Sequence, residues 1–195
     1  MKLNNINPLN FQKRLVAKVK GEKEDSKEYK IYRLDKKDRN YITDVINDWQ
    51  GGMFFMDVLD DLESNKDEYQ IYVLEDNKKH CLSYAEISTK SPYFNQLLFI
   101  ETKPSLSYKN KERKTKYAGE TMLSFLLGLT KATSKDKHFE VPHALSTSYS
   151  FYVDKCGFKN HEGKSKMLVY KPREEFDSLI EQNKNHTGSK IEILI

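Results

Sequence analysis

Apolar residues in this chain fall into short alternating runs and short helical stripes. Phe11–Lys20 sets Leu15, Ala17 and Val19 against Arg14, Val16, Lys18 and Lys20, which predicts a strand at a sheet edge. The charged run Gly21–Glu28 reads as a solvated turn, and Tyr29–Leu34 (YKIYRL) alternates again as a second strand. The period then changes. Tyr41, Ile42, Val45, Ile46 and Trp49 recur at threes and fours, predicting a helix over Lys37–Trp49 with Asp35 as its cap. Gly51-Gly52 ends it, and Met53–Leu62 carries a second apolar stripe, read as a core face. Three strand-like runs follow, Tyr69–Glu75, Cys81–Thr89 and Gln96–Thr102. Asp76–Lys79 between the first two reads as a hairpin turn, and the short connections predict an antiparallel meander.

Beyond Pro104 the chain passes through a lysine-rich loop into a helix from Gly119 to about Thr133, with Met122, Leu123, Leu126 and Leu129 on one face. Phe139–Leu145 is a further strand, interrupted by Pro142. Ser146–Ser148 can cap a short helix, Tyr149–Cys156, that stops at Gly157. Lys166–Lys171 is strand-like, Glu174–Asn183 helical, and Lys190–Ile195 apolar enough for a last strand or a dimer contact. Only the crossover through the helix after Gly119 reads as a parallel connection. The expectation is one α+β domain over 1–195, with 1–28 an N-terminal extension and 173–195 an appended helix and strand.

Composition narrows the class without naming a chemistry. Hydrophobic residues make up 37% and charged ones 32%, yet 12 Tyr and 10 Phe argue against disorder. The net charge of +4, from 33 basic and 29 acidic residues, is too small and too interspersed to favour nucleic acid as a partner. Two cysteines without CxxC spacing suggest a reducing compartment and no zinc site, and the five histidines are scattered without metal-ligand spacing, so no metal is expected. No apolar run approaches the roughly 18 residues of a membrane span, and the start lacks a signal-peptide core, so a cytoplasmic protein without membrane contact is the default.

The stretch Gln96–Phe125 carries the first chemical signal. A strand, a basic loop and a helix start in that order suit a phosphate-bearing ligand, because the first turn of a helix offers backbone N–H groups and the positive end of its dipole. An ordinary βα unit with a solvated loop fits the same stretch. Further on, Ser150–Phe158 (SFYVDKCGF) separates the two readings. With FIETKP, KTKYAGETMLSF and this segment in that order, the chain resembles the GNAT-type N-acetyltransferases, from about Tyr29 to Lys171.

That resemblance implies a GNAT-like acyl-CoA N-acyltransferase fold, a central mixed and mostly antiparallel sheet flanked by helices. It implies acetyl-CoA as co-substrate and direct attack by an amine in a ternary complex. The pyrophosphate loop of the family reads Q/R-x-x-G-x-G/A, and one glycine remains here. One register puts Lys114 at the Q/R position, Tyr117 at the first glycine and Gly119 at the second; the other puts Gly119 first and Thr121 second. The cofactor-binding residues implied are Thr102, Lys114, Lys116, Tyr117, Ala118, Gly119, Glu120, Thr121, Phe151 and Tyr152. Tyr152, protonated near neutrality, is the implied acid for the departing thiolate. Glu101 is the candidate base, with Glu86 on the neighbouring strand as its rival. The acceptor would be set by the first two helices and the strand ends, near Trp49, Met53, Phe54, Tyr84 and the region of His143. Two alternatives stand beside this reading: a GNAT-like acyl-CoA-binding or regulatory module with little turnover, and a toxin-like acetyltransferase acting on charged tRNA. A homodimer is compatible with either.

Overall fold

A computed structural model describes residues 13–21, 28–49, 55–64, 68–89, 95–106, 117–161 and 167–194. The elements in chain order are β1 (Arg14–Gly21), β2 (Tyr29–Leu34), α1 (Arg39–Trp49), α2 (Phe55–Ser64), β3 (Tyr69–Asp76), β4 (Cys81–Ser88), β5 (Gln96–Thr102), α3 (Ala118–Thr133), β6 (His138–Val141), β7 (Lys159–Asn160), β8 (Val169–Pro172), α4 (Phe176–Thr187) and β9 (Ser189–Ile193). Among the described residues one nine-stranded sheet runs in the order β7-β8-β6-β5-β4-β3-β2-β1-β9. Its single parallel pair among the described residues, β5 with β6, is the crossover through α3. The meander β2-β3-β4-β5 is antiparallel throughout.

The sheet is the middle layer of three. One apolar cluster packs it against α3 and α4, with Met122, Phe125, Leu126 and Phe176 fully buried against Leu74, Ala85, Leu97 and Phe139. A second, on the other face, packs Ile42, Val45 and Trp49 of α1 and Val58 and Leu62 of α2 against Ile71, Val73 and Tyr84. Because successive strand side chains point to opposite faces, β3 serves both clusters, Tyr72 and Leu74 on one face and Ile71 and Val73 on the other. Asp35 caps the first helical segment, a short 3₁₀ turn over Lys36–Asp38, by accepting from the Lys37 N–H at 2.7 Å, and Asp38 reaches back to the Asp35 N–H at 3.0 Å. Among the described residues no helix is long and apolar enough to cross a membrane.

Several boundaries differ from the sequence reading, each for a physical reason. The first strand is not an edge: β1 pairs with β2 on one side and with β9 on the other, so β9 and β7 form the edges. Its alternation also breaks, because a bulge between Leu15 and Ala17 turns both Val16 and Ala17 inward. The strand expected over Phe139–Leu145 stops at Val141, where Pro142 opens a turn. The two-residue β7 escapes any periodicity, and α4 runs to Thr187 until Gly188, in the left-handed conformation, ends it. Gly51, Gly52, Met53 and Phe54, and the basic residues Lys111, Arg113, Lys114 and Lys116, lie outside the described residues.

Candidate functional site

The end of β5 sets the site. β6 meets β5 in register at Gln96 and Glu140 alone, and the chain turns off after Val141. Among the described residues, the second half of β5 therefore has a strand partner on its β4 side only. Beside it opens a cavity of about 280 Å³, lined by Ile100, Glu101 and Thr102 of β5, by Leu106, by Tyr117–Glu120 at the start of α3, and by Thr147, Ser148, Phe151, Tyr152 and Lys155.

The start of α3 has an unusual entry. Tyr117 precedes the helix in the left-handed conformation, φ 65°, which a non-glycine residue adopts at a cost of about 1–2 kcal/mol. At Gly119 a Cβ would stand 3.2 Å from Thr102 Oγ1 and 3.6 Å from the Phe151 ring, so a larger residue would fill the junction of helix, strand and aromatic ring. Both positions thus carry a demand that glycine meets, and the chain supplies glycine at one of them. The Thr121 N–H already donates to the Tyr117 carbonyl at 2.8 Å, and Thr121 Oγ1 donates to Asn183 of α4 at 3.1 Å. Of the predicted phosphate-binding run, the backbone N–H groups of Ala118, Gly119 and Glu120 are those without an intrahelical acceptor. Thr121 is buried and does not line the cavity. Glu120, which does, is paired: His186 Nδ1 lies 3.0 Å from its carboxylate, and the His186 ring stacks on Tyr117 with centroids 4.9 Å apart.

Tyr152 sits in one turn of π-helix, Phe151–Lys155, in which the Cys156 N–H reaches back five residues to the Phe151 carbonyl. The Tyr152 ring packs against Phe151 and Phe158, and burial raises the pKa of its phenol, so it is protonated across the physiological range. The turn ends at Gly157, φ +67°, where a Cβ would meet Lys171 Nζ at 2.9 Å. That ammonium donates to the carbonyls of Cys156 at 2.8 Å and Gly157 at 3.2 Å, which bolts the segment to β8. Cys156 is buried, its thiol pushed up to about 12 chiefly by burial, so it is no nucleophile near neutral pH.

Glu101 and Thr102 point to opposite faces. Thr102 faces Gly119 of α3, while the Glu101 carboxylate accepts from the phenol of Tyr84, a side chain of the α1–α2 cluster. Burial, then Glu101, holds the Tyr84 pKa well above its ordinary value, so Tyr84 stays the donor. Glu86 lies beneath α2 instead, fully buried and facing Asp61 and Asp57. Burial and these neighbours push its carboxyl up to about 9, so it is protonated near neutrality and is not positioned or ionised as a base.

The cavity therefore brings together Glu101, Thr102, Tyr117, Ala118, Gly119, Glu120, Phe151 and Tyr152, while Lys114 and Lys116 fall outside the described residues. Sequence reading missed Lys155, Leu106 and the pair Thr147–Ser148. The spacing of Lys155 three residues after Tyr152 is the one signal that could have marked it.

No family model and no curated protein matches the chain. Solved structures do. An uncharacterized protein from Bacillus halodurans superposes with a TM-score of 0.56 at 14% identity, over 83% of this chain and 92% of that one. Spermidine N-acetyltransferase from Vibrio cholerae, in complex with CoA and spermine, gives 0.51 at 11% identity, over 76% and 97%. AtaTR bound with acetyl-CoA gives 0.51 at 16% identity, over 65% and 81%. The architecture shared with these structures is the GNAT acetyltransferase fold.

Proposed function

We propose that this chain is an N-acetyltransferase that carries the acetyl group of acetyl-CoA to a primary amine by direct attack in a ternary complex. The observation that carries this reading is the cavity beside the second half of β5, which among the described residues pairs with β4 alone, where a helix N-terminus and a buried phenol converge. Solved structures of this fold with CoA or acetyl-CoA bound support the choice of co-substrate.

The chemistry divides among residues already named. The N–H groups of Ala118, Gly119 and Glu120 bind the diphosphate, with Lys114 and Lys116 adding charge. Thr102, Tyr117 and Phe151 hold the pantetheine arm along β5. Glu101, directly or through water, takes a proton from the ammonium form of the acceptor so that the lone pair is available. The amine nitrogen bonds to the thioester carbonyl carbon, the C–S bond breaks as Tyr152 donates its proton to the sulfur, and the nitrogen releases its surplus proton to water as the neutral amide forms. The tyrosinate is then reprotonated from solvent.

Tyr152→Phe keeps the packing and removes the proton. It should lower kcat by roughly 10²–10⁴ while leaving acetyl-CoA affinity nearly unchanged by calorimetry. An unchanged rate removes Tyr152 from the mechanism. Failure of the wild-type chain to bind acetyl-CoA at about millimolar concentration would overturn the enzyme reading itself.

A further inference from the structure

At the far end of β5 the fold assembles a second group of side chains that acyl transfer does not use. His138 and Glu140 are two residues apart on β6 and so share one face of the strand. Phe139 and Val141 between and beside them face the α3 cluster, so His138 and Glu140 occupy the opposite face of the sheet. His161, just after β7, comes to the same place across β8. One ligand atom from each of His138, Glu140 and His161 lies within 4.8 Å of the other two.

Three observations go beyond proximity. First, His161 Nε2 is 3.3 Å from Glu140 Oε1 and screened from solvent, yet it is out of hydrogen-bonding geometry with every described residue. A buried imidazole nitrogen and a carboxylate oxygen side by side without a hydrogen bond are a pair that one cation bound to both would satisfy. The separation also matches the edge of a tetrahedron with bonds of about 2.0–2.1 Å, which is about 3.3 Å. Second, the other oxygen of Glu140 is already engaged, accepting from the Gln96 side-chain amide at 2.9 Å, which orients the carboxylate and leaves Oε1 toward the histidines. Third, the Tyr170 ring packs against both imidazoles, 5.7 Å from His138 and 4.3 Å from His161, and fixes their planes.

We infer that His138, Glu140 and His161 form a binding site for one divalent transition-metal ion of the zinc class. Two imidazoles and one carboxylate suit zinc, cobalt or nickel and are a poor match for calcium or magnesium, which take all-oxygen shells. The site lies roughly 20 Å from Thr102, counting about 3.3 Å per residue along β5, so the ion takes no part in the acyl transfer. Its physical effect is to tie β6 to the segment after β7, whose two strand residues are both exposed.

The test uses the full chain, stripped with a chelator and titrated with Co²⁺ by absorption and with Zn²⁺ by calorimetry. One ion per chain is expected, with visible ligand-field bands for cobalt. His161→Ala and Glu140→Gln should each weaken binding by tenfold or more, and Gln96→Ala, which acts through Glu140, by about tenfold. Glu140→Gln alters a buried group; if it fails to fold, His161→Ala, at a side chain 22% exposed, carries the comparison. No stoichiometric binding by the wild-type chain, or equal binding by wild type and His161→Ala, overturns the assignment.

Discussion

Glu86 is a fully buried carboxyl facing two others, and its protonation couples folding to pH. In the unfolded chain it titrates near 4.5, and in the fold near 9, raised by burial first and then by Asp61 and Asp57. Between those values the folded state holds a proton that the unfolded state has released. Stability therefore falls as pH rises through this window, with a slope of up to about 1.4 kcal/mol per pH unit from this group alone. Glu86→Gln keeps the shape and removes the titration. The variant should show a flatter dependence between about pH 6 and 8.5 in urea unfolding, and should be the more stable protein at the alkaline end. Parallel loss of stability in both proteins would mean that Glu86 is already ionised in the fold. The same strand pair shows where single residues resist sequence reading. Ile87 pairs with Leu97 and Glu86 with Phe99, so Leu98 is an extra residue, and the parity that would place Glu101 reverses within β5. Leu97 and Ile100 join the α3 cluster while Phe99 joins the α1–α2 cluster. A bulge of one residue leaves no trace in an alternating pattern of apolar side chains.

Between elements, the contact of α3 with β9 sets propensity against packing. Gly128 lies inside α3, where alanine in its place would favour the helix by about 0.8–1 kcal/mol. Its Cβ would stand 3.0 Å from Cδ1 of Ile193, the flexible end of a half-buried side chain, and 3.9 Å from Cδ1 of Ile180. The crowding and the propensity gain are of similar size, so Gly128→Ala should lie within about 0.5 kcal/mol of wild type. Ile193→Val removes the crowding atom. In that background the alanine should stabilise by about 1 kcal/mol, and a double-mutant cycle in urea should show coupling above about 0.5 kcal/mol. Equal effects in both backgrounds would show that β9 yields without cost. Elements of this kind were legible where local period and capping chemistry carry the information. Gln96–Thr102 is the observed β5, Asp35 is the cap, and the α3 stripe is buried as read. The pairing of β1 with β9 was not, because strands from opposite ends of a chain share no local signal. The left-handed Tyr117 and the π-turn at Tyr152 were hidden for a related reason: surrounding structure imposes them on residues that do not prefer them.

Across the whole molecule, the segment after β8 does two separable jobs. β9 completes the sheet against β1, pairing Ala17 with Ile193 and Val19 with Ile191, and it lays Ile191 and Ile193 against the α3 cluster. α4 instead reaches the start of α3, where Asn183 bonds Thr121 and His186 holds Glu120 and stacks on Tyr117. Two truncations distinguish the jobs. Ending the chain after Gly188 removes β9 alone. Two half-buried isoleucines at about 1–2 kcal/mol each, and about three strand hydrogen bonds at about 1 kcal/mol each, make the loss about 5–7 kcal/mol, a large share of an ordinary domain's stability. The melting temperature should fall by about 10 °C or more. The cavity lies five strands away at β5, so at low temperature the proposed acetyl-CoA affinity should stay within about twofold of the full chain. Ending the chain after Pro172 removes α4 as well, uncovers Thr121 and the apolar face of α3 that Phe176 and Leu179 cover, and frees Glu120 beside the proposed diphosphate site. This shorter chain should lose both stability and ligand affinity. Equal affinity in the two truncated chains, measured where both are folded, would show that α4 supports the sheet and leaves ligand binding at the start of α3 untouched.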